Sequence, residues 1–127
     1  MIEYFKKIGA TIDFMTDRYT VSVLPGDQAA ECLKLRKQVF GEELKRVRPE
    51  AAFSPAAPDV FDPVSEHGVV TDTRTDEVVG CLRLTNAARM VENPLYKEEY
   101  RMDLVPEDIL RRTVVLSRFV MRKSHRR

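Results

Sequence analysis

Four prolines, Pro49, Pro55, Pro58 and Pro63, fall between Arg46 and Pro63. Proline fixes φ and removes a backbone donor, so this stretch can be neither a regular helix nor an inner strand. It reads as a long loop with room for one short helical turn, and it divides the chain into two differently patterned parts. Ahead of it, Ile2, Phe5, Ile8, Ile12 and Met15 recur at helical spacing, predicting an amphipathic helix over residues 1–18. Two readings of that helix stand side by side: a helix docked on the domain, and a surface element in peripheral membrane contact. Tyr19 to Leu24 alternates and is rich in β-branched residues, which predicts a strand ended by Pro25-Gly26-Asp27. Asp27 is placed to cap the next helix, whose apolar face runs from Ala29 through Cys32, Leu33, Leu35, Val39 and Phe40 to Leu44.

Behind the prolines the pattern turns to strands. Gly68–Asp72 and Glu77–Thr85 read as two strands joined by a polar turn at Thr73–Asp76. Asn86–Met102 is mixed, with a turn at Asn93-Pro94, and Pro106 opens a short helix. Thr113–Met121 is a last apolar strand, long enough to lie centrally in a sheet. The order helix, strand, helix, loop, hairpin, helix, strand is an α/β layout in which residues 19–127 form the domain.

Charge excludes more than it assigns. Twenty-one Lys and Arg nearly cancel twenty Asp and Glu, so no strongly acidic partner is implied by the whole chain. Arg118, Arg122, Lys123, Arg126 and Arg127 form a local basic end. It is too short, and lacks the interleaved aromatic residues, to point to nucleic acid. Cys32 and Cys81 each sit inside an apolar pattern and read as buried thiols, with neither disulfide nor zinc spacing, and no metal site is indicated. The charges scattered through the first nineteen residues break the apolar run of a signal peptide, and the expectation is a cytoplasmic protein.

Four segments carry a resemblance: Leu35-Arg36-Lys37-Gln38-Val39-Phe40; Asp59-Val60-Phe61-Asp62-Pro63-Val64-Ser65-Glu66-His67; Val78-Val79-Gly80-Cys81-Leu82-Arg83-Leu84; and Leu116-Ser117-Arg118-Phe119-Val120. Their succession is similar to the acyl-homoserine-lactone synthases and to the related ornithine-lipid and N-acyl amino acid synthases. These are GNAT-fold N-acyltransferases, and the Asp-x-Phe-Asp-Pro segment leans toward the lipid and acyl-amino-acid branch. The resemblance implies a mixed sheet flanked by helices, of which this chain would hold the N-terminal part only. It also implies transfer of a fatty acyl group from acyl carrier protein or CoA to the amine of an amino acid or related small molecule, with no bound cofactor.

By that resemblance Asp59, Asp62, Arg83 and Arg118 are the catalytic candidates and Arg36 and Phe40 substrate-binding ones; His67, at a strand entrance, is a further substrate-binding candidate. Chemically, Asp59 and Asp62 suit positioning or deprotonating a cationic amine. Arg83 and Arg118 suit either a substrate carboxylate or the acidic loop itself. Taken singly the same residues have plainer readings: Phe40 as core, the arginines as strand-face partners of acids, the aspartates as turn residues or caps, and His67 as a structural hydrogen bond.

Two departures from the pattern matter. Val115 stands where the family carries a glutamate. The turn that would bind the pantetheine pyrophosphate at a helix N-terminus should begin at Ser124-His125-Arg126-Arg127. A second function follows from these departures, an inactive fragment that associates, or forms a homodimer, through an open sheet edge. The basic end would suit acyl carrier protein as partner.

Overall fold

The structure, a computed structural model, describes residues 18–45 and 58–126. The helix expected over residues 1–18 therefore lies outside the described residues, apart from Arg18, as does the loop from 46 to 57. Four strands form one sheet in the order β1-β2-β3-β4: β1 Tyr19–Pro25, β2 Glu66–Asp72, β3 Glu77–Asn86 and β4 Val114–Met121. Each neighbouring pair is antiparallel. Where a mixed sheet was expected, the described residues contain no parallel pair. The expected central place of the last strand is also not observed, because β4 pairs with β3 alone among the described residues.

Helix α1, Ala30–Arg36, continues as a π-helical turn over Lys37–Glu43, in which Leu44 N–H reaches back to the Val39 carbonyl at 2.8 Å. Asp27 does not cap it. A 3-10 turn over Gly26–Gln28 intervenes, and Ala29 takes the N-cap position with no side-chain bond. The stretch expected to be mixed holds two short helices, α2 Ala87–Met90 and α3 Pro94–Glu99. Asn86 and Asn93 cap them, accepting from Ala88 N–H at 2.9 Å and Leu95 N–H at 3.1 Å. Helix α4, Glu107–Arg111, follows Pro106, which is its N-cap and not its first helical residue.

The sheet register explains where the core sits. Val69, Cys81 and Val120 are aligned across β2, β3 and β4. Cys32, Leu35, Val39 and Phe40 of the helical segment pack on that row. Fully burying a side chain of this size contributes about 1.5–3 kcal/mol, so the row anchors α1 to the sheet. Two residues along β2 and β3, on the same face, comes a second row: His67, Arg83 and Ser117. In β4 the interval from Ser117 to Val120 is three residues, which would put the two on opposite faces of a regular strand. Arg118 removes the conflict. Its φ of 55° is left-handed, and the register shifts between Cys81 and Arg83, so β4 carries a bulge that restores the phase.

A second apolar cluster, Phe61, Ala87, Met90, Tyr96, Met102 and Leu110, joins the helices after β3 to the loop before β2. Both cysteines are free and buried, as the sequence pattern suggested.

Candidate functional site

The segment from Asp59 to Ser65 is a turn built by its own side chains. Phe61 N–H donates to Asp59 Oδ1 at 2.9 Å, and Asp59 N–H donates to Asp62 Oδ2 at 2.8 Å. Ser65 Oγ donates to the Phe61 carbonyl at 2.6 Å and meets Thr85 Oγ1 at 2.7 Å, which fastens the turn to β3. Short polar side chains that bond their own backbone favour such turns, so local chemistry accounts for the shape.

This turn delivers two carboxylates to three arginines. Asp62 Oδ1 accepts from Arg36 Nη1 at 2.6 Å and from Arg83 Nη1 at 3.0 Å. Asp59 Oδ1 accepts from Arg83 Nη1 at 2.5 Å, and Asp59 Oδ2 from Arg118 Nη2 at 3.0 Å. The helix, β3 and β4 thus each contribute one cation to one turn. Arg36 and Arg83 are 1% exposed and Asp62 is 3% exposed. Charges so deeply buried persist only when paired, and removing one partner leaves the others uncompensated. Burial pushes the Asp59 pKa up, but the hydrogen bonds and charge of Arg83, followed by Arg118, outweigh it and hold the carboxyl below its ordinary range. Arg83 is correspondingly held in its charged form by Asp59 and Asp62 against the opposing effect of burial.

His67 is buried, with Nε2 3.2 Å from the Asp62 carbonyl. A carbonyl only accepts, so that nitrogen carries the proton. Burial is the leading cause that lowers the His67 pKa, with the carbonyl and carboxylate of Asp62 opposing it. Phe40 belongs to the core beneath the Val69–Cys81–Val120 row and does not join the charged cluster. Of the candidates read from the sequence, Arg36, Asp59, Asp62, His67, Arg83 and Arg118 are brought together, and Phe40 is set apart. Val115, at the position of the absent glutamate, packs against the second apolar cluster.

Sequence reasoning missed Tyr96. Its hydroxyl accepts from Arg118 Nη2 at 3.2 Å, and its ring meets Phe61 edge-on at 4.8 Å and stacks with Tyr100 at 5.7 Å. Phe61 in turn lies under the Arg83 guanidinium, 5.8 Å from the ring centre. Ser117 was missed as well, and its Oγ lies 3.3 Å from Arg83 Nε. The signal for Tyr96 was only a tyrosine in a short capped helix, which no periodicity could mark. At the basic end, Arg122 Nη2 donates to the Val78 carbonyl at 3.2 Å and Arg126 pairs with Glu43, so two of its cations are engaged within the domain.

A family model described as an acetyltransferase (GNAT) domain matches residues 35–127. That span is more than half of the chain. The chain belongs to the GNAT acetyltransferase family. Every charged residue of the cluster, together with His67 and Tyr96, lies inside the matched span of this GNAT domain. No curated protein and no solved structure matches the chain. The antiparallel sheet with its flanking helices accords with a GNAT-like fold, and the family's general chemistry is acyl transfer. Among the described residues, no cluster of His, Cys, Asp and Glu is arranged to hold a metal ion. No helix among them is long and apolar enough to cross a membrane.

Proposed function

We propose that this GNAT domain transfers a fatty acyl group from a thioester, carried by acyl carrier protein or CoA, to the amine of an amino acid or related small molecule. The observation that supports it is the joining of Arg36, Asp59, Asp62, Arg83 and Arg118 into one buried cluster beside the bulge in β4. On the side of β4 away from β3, backbone donors and acceptors lack sheet partners among the described residues. An extended thioester arm can pair with such an edge as an added strand. The amine nitrogen attacks the thioester carbonyl, the C–S bond breaks, the thiol leaves, and the proton of the incoming ammonium passes to solvent. Asp59 and Asp62, already engaged by arginines, act here by holding those arginines in place. Preorganised cations of this kind favour charge that develops as the reaction proceeds.

The test is thiol release from acyl-CoA and acyl carrier protein thioesters of several chain lengths, in the presence of a panel of amines. Amine-dependent release that falls at least tenfold in Arg118→Ala supports the reading. Release no faster than in buffer, from protein that melts cooperatively, overturns it.

A second reading, an association module that pairs through its sheet edge, draws on Leu116 and Phe119, 62% and 64% exposed on β4. Sedimentation separates the two. A dimer that dissociates on Phe119→Lys favours association, and a monomer at micromolar concentration excludes it. We also propose that the 1–18 segment contacts a membrane surface, which vesicle co-sedimentation reads out.

A further inference from the structure

After β4 the chain turns back across the sheet. Arg122 N–H bonds the Val79 carbonyl at 2.7 Å, and a 3-10 turn over Lys123–His125 follows. That turn brings His125 to Asp72, at the end of β2, on the far side of β3. His125 Nε2 lies 3.1 Å from Asp72 Oδ2, and His125 Nδ1 lies 2.8 Å from Ser124 Oγ. Asp72 is 2% exposed, whereas Ser124 faces solvent. The same carboxylate takes Arg18 Nε and Nη2 on Oδ2 and the Arg74 N–H, at 3.0 Å, on Oδ1. The hydrogen bond from His125, followed by the one from Arg74 N–H, holds the Asp72 carboxyl below its ordinary range. An ionised carboxylate only accepts, so Nε2 carries the imidazole proton and Nδ1 offers its lone pair to the Ser124 hydroxyl. A hydroxyl donating to an imidazole that an acid orients is the arrangement that activates a serine.

The imidazole is also one wall of a cavity of about 280 Å³, whose other walls are Tyr19, Val70, Val79, Gly80 and Met121. Val70, Gly80 and Met121 each neighbour a residue of the Val69–Cys81–Val120 row, so the cavity lies on the sheet face away from α1. Its lining is mostly apolar, and its size is near the lower end of small-molecule pockets, which suits a short acyl chain. The Tyr19 ring meets the imidazole edge-on, with centroids 6.0 Å apart.

We infer that Ser124 is a nucleophile toward short-chain acyl esters, with His125 as its general base and Asp72 as a positioning residue. The Ser124 oxygen attacks the ester carbonyl while its proton passes to His125 Nδ1. The ester C–O bond then breaks, and the leaving alcohol takes that proton. Water releases the acyl group from Ser124 by the same proton path, giving a carboxylic acid and the free serine. This activity needs no amine and is independent of the proposed acyl transfer.

The experiment treats the whole chain with a fluorophosphonate, from which an activated serine displaces fluoride, and with p-nitrophenyl butyrate. Mass spectrometry of the digest should find the phosphonyl adduct on Ser124, and nitrophenolate release should exceed that in buffer. Both reactions should slow roughly a hundredfold in His125→Gln, the lower end of what a general base contributes. They should slow in Asp72→Asn as well, because an amide no longer selects the tautomer. Ser124→Ala changes an exposed side chain, and it should lose the adduct while keeping the parent's melting temperature. A parent that melts cooperatively yet takes no adduct on Ser124 would overturn the inference and leave the Asp72–His125 contact as a tie between turn and sheet. Adducts on Lys123 or His125 that persist in Ser124→Ala would overturn it too, as would Ser124 labelling unchanged in His125→Gln.

Discussion

The backbone carbonyl of Asp62 occupies the space into which a side chain at Gly26 would project. A Cβ built there would also stand 2.6 Å from the Pro63 carbonyl oxygen, closer than real Cβ contacts come, and both obstacles are backbone. The turn after β1 therefore fits against the carboxylate-bearing loop only because residue 26 is glycine. Gly26→Ala should destabilise the fold by roughly 1–3 kcal/mol, the usual cost of forcing atoms into filled space. It should also push the Asp62 loop away from Arg36. A urea midpoint equal to that of the parent would show that the loop gives way freely.

Asp62 is the carboxylate that two arginines share while nearly excluded from water. Asp62→Asn keeps the shape and removes the charge, so Arg36 and Arg83 lose their common counter-ion in a buried setting. The expected loss is about 3–5 kcal/mol, read from urea unfolding. The exposed pair Arg111–Glu107 is a control, since solvent-exposed ion pairs contribute between about 0 and 1 kcal/mol. A result for Asp62→Asn no larger than for Glu107→Gln would mean that the cluster is wetter than its burial indicates.

Much of this arrangement was legible in the sequence because it rests on local chemistry. Alternation located β1, and runs bounded by turn residues located the other three described strands, while the motif residues identified five of the charged groups that meet. Other parts depended on three-dimensional closure. Nothing in the pattern of β4 distinguishes Arg118 as left-handed, since the bulge follows from registering Ser117 and Val120 against Arg83 and Cys81. Phe40 lies one helical turn from Arg36, yet it packs in the apolar row while the longer Arg36 side chain reaches Asp62, a difference that the spacing does not mark. The π-helical turn at Lys37–Glu43 likewise leaves no mark on apolar periodicity. The hairpin at Thr73–Asp76 marked β2 and β3 as an antiparallel pair, whereas the directions of β1 and β4 depended on how the longer connections close.

The bulge makes its own prediction. At φ 55° an L-residue is strained by roughly 1–2 kcal/mol, whereas glycine is not. Arg118→Ala loses the bonds to Asp59 and Tyr96 and keeps the strain, while Arg118→Gly loses the same bonds and relieves it. The glycine variant should therefore be more stable than the alanine variant by about 1 kcal/mol, the reverse of the order in a regular strand. Chemical denaturation of the two variants side by side decides it, and the ordinary order would mean that the strand is regular in solution.

His67 links stability to pH. Its pKa in the folded protein lies below the ordinary value, with burial as the leading cause. As pH falls past about 6.5, the unfolded chain takes up a proton that the folded protein still refuses. The contribution of neutral His67 is thus complete above that value and declines as pH drops toward the folded-state pKa. Asp59 is also depressed and has the same sign, but its loss belongs to a lower window, beginning near the ordinary aspartate value of about 3.9. Melting temperature measured from pH 7.5 to 5 should therefore fall in the parent protein. It should fall distinctly less in His67→Gln, which retains a side-chain donor for the Asp62 carbonyl but has no proton to gain. Parallel curves for the two proteins across that range would mean that His67 is hydrated enough to titrate as it does in the unfolded chain, and that the turn carrying Asp59 and Asp62 opens more readily than its hydrogen bonds imply.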